Sequence, residues 1–274
     1  MTRLTETDVR ELTSRLPEFD VGLLGVTGLD LRGLALRACG LSSAASPLTG
    51  TRVAVVPVSC GLGFIPFFSQ CVATILDYVG CDAFVTALPD VKGLQEAASR
   101  GAQLVFVADD DRFVALNIHS GACADDDPCT ANGYAAALDA ASDGLNLRSV
   151  ALLGLGPVGR AAARRLRELG ASVLAIEPDP VRAASAVADF GVKIVGLKEA
   201  LGATDHVFDA TPAADLIDAD RVTASTLAAV PAVPSSFTAE AQKALGPRHI
   251  HEPLAVGVAV MAVEALVGCV STRA

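Results

Sequence analysis

The sequence predicts an α/β chain in two units, an N-terminal α/β unit over residues 1–145 and a C-terminal unit with a parallel sheet over residues 146–274. Three observations carry this. Short apolar runs at 52–58, 83–86, 104–108, 150–153 and 172–176 alternate with stretches of helical periodicity, the order that leads to a largely parallel sheet. The fourth run enters a glycine-spaced turn, Gly154-Leu155-Gly156-Pro157-Val158-Gly159, that opens an alanine-rich amphipathic segment. The length of 274 residues suits two domains that each bury a core.

The N-terminal elements follow in order. Thr5 is placed to cap a helix with Asp8 three residues on, Val9, Leu12 and Leu16 share a face, and Pro17 is expected to end the helix. A docked amphipathic helix and a lid over a bound substrate are both open readings, and docking without function is the simpler one for a terminus. Residues 26–30 lead into a second helix through Arg37. The strand at 52–58 is followed by Ser59-Cys60-Gly61-Leu62-Gly63-Phe64 and a helical run to Tyr78. The loop amides and Ser59 could hold a carboxylate at the helix start, with Ser69 facing the same pocket; equally, the glycines could only make a tight crossover. After a helical stretch at 91–100, the strand at 104–108 ends in Asp109-Asp110-Asp111. Ligands gather at the carboxyl ends of strands in such sheets, so Asp109 is placed to meet a substrate, while a solvated acidic turn capping the next helix is the alternative. Residues 121–128 read as an acidic turn, and Thr130 as the cap of a helix over 131–141 that bridges the two units.

In the second unit each glycine has a separate reason. Gly154 permits the turn, Gly156 lets backbone N–H groups approach a phosphate, and Gly159 lets the helix pack on the strand. A pyrophosphate would sit on Gly154, Leu155, Gly156, Pro157, Val158 and Gly159, at the positive end of the helix. Glu177 ends the next strand about 20 residues further on, where an acid accepts both ribose hydroxyls of NAD. Asp179 adds to the repulsion of a 2′-phosphate, while Arg182 leaves a smaller opening for NADP. This is the Rossmann pattern. Residues 206–212 read as a strand leading to a polar turn, so Thr211 and Pro212 border the nicotinamide ribose; Pro231, in the stiff loop after the strand at 227–230, forms a wall of the cofactor pocket. A short strand is expected to close near Val195. An apolar helix is expected over 253–270, and Glu252 either faces the cleft or merely precedes that helix.

Composition narrows the function classes. The hydrophobic fraction is 51% and the mean hydropathy +0.47, but the apolar runs are short and interrupted by Gly, Pro or acids, so a membrane span is not expected. The start of the chain lacks the apolar core of a signal peptide, and a cytoplasmic enzyme follows as the default. A net charge of −10 argues against a nucleic-acid partner. Seven cysteines without a C-x-x-C pair read as reduced core thiols, and with four scattered histidines no metal site is expected. Whether the chain forms a homodimer is left open.

Several stretches, most of them outside the cofactor fold, carry a more specific resemblance. Val26-Thr27-Gly28-Leu29-Asp30, Val55-Val56-Pro57-Val58, Leu88-Pro89-Asp90-Val91, Gly101-Ala102-Gln103, Ala108-Asp109-Asp110, Pro128-Cys129-Thr130 and Glu252-Pro253-Leu254 resemble the PylD family of pyrrolysine biosynthesis dehydrogenases in order and spacing, over nearly the whole chain. The resemblance implies NAD-dependent oxidation of the terminal amine carbon of 3-methylornithyl-Nε-lysine, a dipeptide-like small molecule. The semialdehyde then closes on its own α-amine, with loss of ammonia and water, to the pyrroline ring. It further implies that Asp109 and the loop carrying Ser59, Cys60, Gly61 and Gly63 line the substrate pocket. Leu4 would sit on a closing N-terminal helix, which favours the lid reading. One departure stands out: the family pattern Thr-Ser-Gly-Asn-Gly is Ser59-Cys60-Gly61-Leu62-Gly63 here, so Cys60 is a candidate contact without a partner to make it a nucleophile. An ordinary carboxylate is a poor base for a lysine-like ammonium, so Asp109 is expected to position the substrate amine while an ordered water takes the proton. Another dehydrogenase of this architecture, acting on shikimate or a small amino acid, and a NAD-sensing protein without turnover are the rival readings.

Overall fold

The computed structural model describes residues 6–42, 44, 47–61 and 67–268. Helix α1 (Glu6–Thr27) opens the chain and α2 (Leu31–Ala38) follows it. The expected stop at Pro17 does not occur; Pro17 lies inside α1. An internal proline costs about 3 kcal/mol through a lost hydrogen bond and a ring clash. Burying Leu12, Leu16 and Leu23 down one face returns roughly 1.5–3 kcal/mol each, so packing outweighs the break. The turn at 28–30 is built locally: Leu29 N donates to Thr27 Oγ1 at 3.1 Å, and the Asp30 carboxylate caps α2 by accepting from Gly33 N at 2.6 Å.

Five strands form the first sheet: β1 (Arg52–Val56), β2 (Asp82–Val85), β3 (Leu104–Ala108), β4 (Phe113–Asn117) and β5 (Cys123–Asp125). Helix α3 (Phe68–Tyr78) connects β1 to β2, and α4 (Asp90–Ser99) connects β2 to β3. The order is β2-β1-β3-β4-β5, with the first three strands parallel and the last two antiparallel. The sheet is therefore mixed rather than largely parallel. The turn from Asp109 to Arg112 has the sequence of a helix cap and so gives no sign of a hairpin; instead Asp109 Oδ1 accepts from Asp111 N at 2.9 Å and Arg112 N at 2.8 Å and folds β4 back onto β3.

Helix α5 (Asp126–Ala141) starts five residues before the sequence suggests, and Asp125 caps it, not Thr130. Two acids in the first turn suit the positive end of the helix, and Pro128 falls where an N–H has no intrahelical partner to lose. Thr130 instead lies within the helix and donates its hydroxyl to Asp126 Oδ1 at 3.1 Å. As expected, α5 bridges the molecule, packing on α1 and α2 to one side and on the second sheet to the other.

The second sheet alternates with helices: β6 (Ser149–Leu153), α6 (Pro157–Glu168), β7 (Ser172–Ile176), α7 (Pro180–Phe190), β8 (Lys193–Ile194), α8 (Leu197–Ala203) and β9 (His206–Asp209). Strand β10 (Leu227–Ala229), α9 (Ala239–Leu245) and β11 (His249–Ile250) complete it. Its order is β11-β10-β9-β6-β7-β8 and every pairing is parallel. The strand order reverses at β6, which marks a doubly wound sheet with its crevice there.

The last helix, α10 (Ala255–Val267), is apolar nearly all round because it is enclosed on all sides, packing on α2, α3, α5, β4 and β5 of the first unit. Close approach depends on two glycines: a Cβ on Gly133 would lie 2.5 Å from Val256, and one on Gly257 would lie 2.3 Å from the Thr130 hydroxyl. A polar clasp fixes the entry to α10. The buried Tyr134 hydroxyl donates to Glu252 O at 2.5 Å and accepts from Glu252 N at 2.9 Å. Losing both bonds in Tyr134→Phe leaves two buried backbone groups unpaired, so chemical denaturation is expected to show a loss of about 2–3 kcal/mol.

Candidate active site

The glycine loop follows from strand β6 ending under the N-terminus of α6. Gly154 has φ +83° and approaches the next strand so closely that a Cβ would sit 2.8 Å from Ala210 O. Gly159 packs on the same turn, where a Cβ would meet Gly154 O at 2.1 Å. Gly156 is different: nothing lies within 4 Å of its Cβ position, and it precedes α6 without any side-chain cap. Two glycines therefore close the loop and the third leaves an open cradle at an uncapped helix start, an arrangement that fits a pyrophosphate.

Glu177 directly follows β7 beside this loop, with its side chain only 4% exposed. Its Oε2 accepts from Leu155 N at 2.8 Å and its Oε1 from Asp179 N at 3.0 Å, while Arg182 stands 3.7 Å from Oε1. The acid thus secures the glycine loop, and a carboxylate with two lone pairs per oxygen keeps acceptor capacity for ribose hydroxyls. Arg182 is the nearby side chain that reaches the cavity wall.

A cavity of about 380 Å³ lies between the carboxyl ends of the two sheets. One wall comes from the first sheet and its loops: Val55 to Val58, Cys60, Phe68, Ser69, Ala108, Asp109 and Asp110. The facing wall comes from Gly156, Pro157, Val158, Thr211, Pro212 and the 231–233 loop. Its floor is the start of α5, with Asp126, Asp127 and Thr130, and the entry to α10. The sequence-derived residues Cys60, Ser69, Asp109, Gly156, Pro157, Val158, Thr211, Pro212 and Pro231 are thus brought to one cavity, while Gly154, Leu155, Gly159 and Glu177 support it from behind. Leu4 and Gly63 lie outside the described residues.

Ser59 is turned elsewhere. Its N–H donates to Asp90 Oδ1 at 2.8 Å and its hydroxyl to Asp90 Oδ2 at 2.5 Å, so it ties the loop to α4 instead of lining the cavity. Gly61, with φ +65°, leaves room for the Asp110 carboxylate, which occupies the space a Cβ would take.

Three buried or shielded carboxyls shape the electrostatics; the sequence points to Glu252 alone among them, as either facing the cleft or preceding the last helix, and not to Asp209 or Asp126. Asp209, fully buried at the end of β9, has its carboxyl pushed up to about 6 by burial; Oδ1 accepts from Thr211 N at 3.2 Å and Oδ2 from Ser236 N at 2.8 Å. It therefore fixes both loops of the facing wall. Glu252 is 6% exposed and burial raises it to about 7; its Oε2 accepts from Leu254 N and Ala255 N, so it caps α10. Burial likewise raises Asp126 to about 7, with Asp127 and Asp125 adding to the effect and the Thr130 hydroxyl opposing it. Asp109 goes the other way. Main-chain N–H bonds from Arg112 and Asp111 hold its carboxyl below the usual carboxylate range, so it is ionised throughout the neutral region. The α5 start has no local signal of a site, because the β3-β4-β5 return is what carries it to the cavity.

The three glycines separate folding from binding. Gly156→Val is expected to fold with nearly unchanged stability yet bind NAD at least ~10-fold more weakly, since its side chain fills the phosphate approach. Gly159→Ala meets backbone at 2.1 Å and is expected to lower thermal stability as well. Titration calorimetry and thermal melts of the two variants check both.

Comparison with known proteins agrees with this construction. Residues 8–124 match the family model described as pyrrolysine biosynthesis protein PylD, N-terminal domain, and residues 115–230 match the D-isomer specific 2-hydroxyacid dehydrogenase, NAD binding domain. Among solved structures, shikimate dehydrogenase from Aquifex aeolicus is 13% identical with a TM-score of 0.52, over 82% of this chain and 95% of that one. Quinate dehydrogenase from Corynebacterium glutamicum, solved with NAD, is 16% identical with a TM-score of 0.51, over 80% and 94%. These likenesses establish the fold. Pyrrolysine synthase of Methanosarcina acetivorans is 34% identical over 95% of this chain and 98% of its own length, and that of Methanosarcina barkeri 32% identical over 95% and 97%. By that identity and coverage, the chain belongs to the pyrrolysine synthase family.

Proposed function

We propose that this chain catalyses the last step of pyrrolysine biosynthesis, the NAD-dependent oxidation of the terminal amine carbon of 3-methylornithyl-Nε-lysine. The observation that carries the reading is the cavity itself, in which an open phosphate cradle faces a carboxylate on a strand end of the other sheet. Bound NAD would be held by the loop from Gly154 to Gly159, Glu177, Thr211, Pro212 and Pro231, and supplies the hydride acceptor. The chain's own residues do the rest. Asp109, kept ionised by its turn, pairs with a substrate ammonium and fixes the reacting carbon. Such an acid is too weak a base to deprotonate it. Once the amine is neutral, hydride loss leaves an iminium; water converts it to the semialdehyde and ammonium, and the semialdehyde condenses with the α-amine, losing water. Leu4 and the start of α1 would close over the substrate, and Cys60, Gly61, Gly63 and Ser69 would border it, with Ser59 supporting that loop through Asp90.

Two domains divided near residue 145 give each sheet its own unit, with α10 docking back onto the first. We place the enzyme in the cytoplasm, acting on a small molecule and not on nucleic acid. The six described cysteines are free thiols, which suits a reducing compartment, and the net charge of −10 disfavours a polyanion. Among the described residues no helix is long and apolar enough to cross a membrane.

Purified protein given NAD and ornithyl-lysine is expected to produce NADH absorbance together with a product whose mass reflects oxidation, deamination and dehydration. A signal with shikimate or free ornithine and none with the amide would replace the substrate assignment; NAD binding with no turnover of any amine would replace catalysis with sensing. Asp109→Asn keeps the acceptor that folds the hairpin turn but removes the charge, so KM for the amide is expected to rise ~10- to 100-fold with the fold intact. Unchanged KM and kcat would remove Asp109 from the site.

A further inference from the structure

Asp109 is too weak a base to take the ammonium proton, a part expected of an ordered water, and the cavity floor offers a side chain for it. Resting on the dehydrogenase reading above, we propose that Asp126 is a catalytic residue, the general base that takes the proton from the substrate's reacting ammonium. Asp126 is the first residue of α5 and lines the same cavity as Asp109 and the Thr211 and Pro231 loops. Its rear is closed: Thr130 donates to Oδ1 at 3.1 Å, and α10 approaches so tightly that a Cβ on Gly257 would lie 2.7 Å from the same oxygen. Among the described residues that hydroxyl is the one hydrogen-bond donor to the Asp126 side chain. Beside it, Asp127 Oδ1 is buried at the cavity with no hydrogen-bond partner among the described residues, an acceptor position that a cationic nitrogen on the floor would satisfy.

The chemistry matches the environment. A lysine-like ammonium with a pKa of about 10.4 gives up its proton far more readily to a base poised near neutrality than to an ordinary carboxylate of about 3.9. Burial, with the charges of Asp127 and Asp125 on the same turn, brings Asp126 to about 7. The Thr130 hydroxyl and the charge of the chain's amino terminus oppose this in part, Arg112 in the turn before β4 is paired with Asp125 at 2.5 Å, and from α10 the uncharged Gly257 lies against the carboxyl. Asp109, held ionised by its amides, does the pairing while Asp126 does the transfer.

The step balances. The N–H bond of the ammonium breaks and an O–H bond forms on Asp126, freeing the nitrogen lone pair. That pair forms the C=N bond as hydride leaves the carbon for NAD, the oxidant the reaction already uses. Water converts the resulting iminium to the semialdehyde and ammonium, and Asp126 returns its proton to solvent.

The test is steady-state NADH formation from ornithyl-lysine by the full-length chain across the neutral pH range, with NAD affinity measured alongside. Wild-type kcat is expected to rise with pH on one ionisation near 7. Asp126→Asn, nearly isosteric, is expected to lower kcat by ~10²-fold or more and abolish that limb with NAD affinity unchanged, and Asp126→Glu to restore part of it. Thr130→Val removes a donor that favours the carboxylate and is expected to move the limb to higher pH, which decides the matter should Asp126→Asn fail to fold. A wild-type rate and limb in Asp126→Asn, or an unmoved limb in Thr130→Val, overturns the assignment while leaving the dehydrogenase reading intact. Absence of turnover by the wild type with every amide overturns that reading instead.

Discussion

The cavity depends on a helix buried on both sides. Helix α5 packs against α1, α2 and α10 on one flank and the second sheet on the other, so the two sheets share a spacer instead of meeting through a loop. Its first turn forms the cavity floor, and its Tyr134 hydroxyl clasps the chain at Glu252, where β11 passes into α10. A buried hydroxyl bonded to both backbone groups of one residue fixes position more sharply than apolar packing, because leaving either group unpaired is costly. The glycines at 133 and 257 serve the same end by letting α5 and α10 approach closely.

On that frame the two walls play different parts. The second sheet supplies backbone, namely an uncapped helix start over Gly156 and two loops that the buried Asp209 holds through Thr211 N and Ser236 N. The first sheet and the α5 start supply charge. Two carboxyls of one chemical type are driven apart by surroundings: amides in a tight turn keep Asp109 ionised, while enclosure by α5 and α10 lets Asp126 retain its proton to near neutrality. A site that must both hold a cation and deprotonate it needs that separation.

What was legible in the sequence was local. The loop from Gly154 to Gly159 and the acid Glu177 fall within one strand-helix-strand unit, so spacing alone reveals them, and Asp109 follows from the rule that ligands meet strand ends. What escaped was set by distant contacts. The hydroxyl of Ser59 is claimed by Asp90, 31 residues away, and Glu177 turns out to brace the loop through Leu155 N. Pro17 continues its helix because Leu12, Leu16 and Leu23 are buried together. The start of α5 reaches the cavity only through the antiparallel return of β4 and β5, which no local pattern around Asp126 announces.

A crystal structure of the chain with NAD and ornithyl-lysine tests the central claim most directly, that the space between the sheets is one site for both. The account requires the pyrophosphate over Gly156 and the substrate's terminal nitrogen between Asp109 and Asp126, its carbon facing the nicotinamide. An amide bound outside this cavity, or a terminal nitrogen out of reach of both carboxylates, would contradict it.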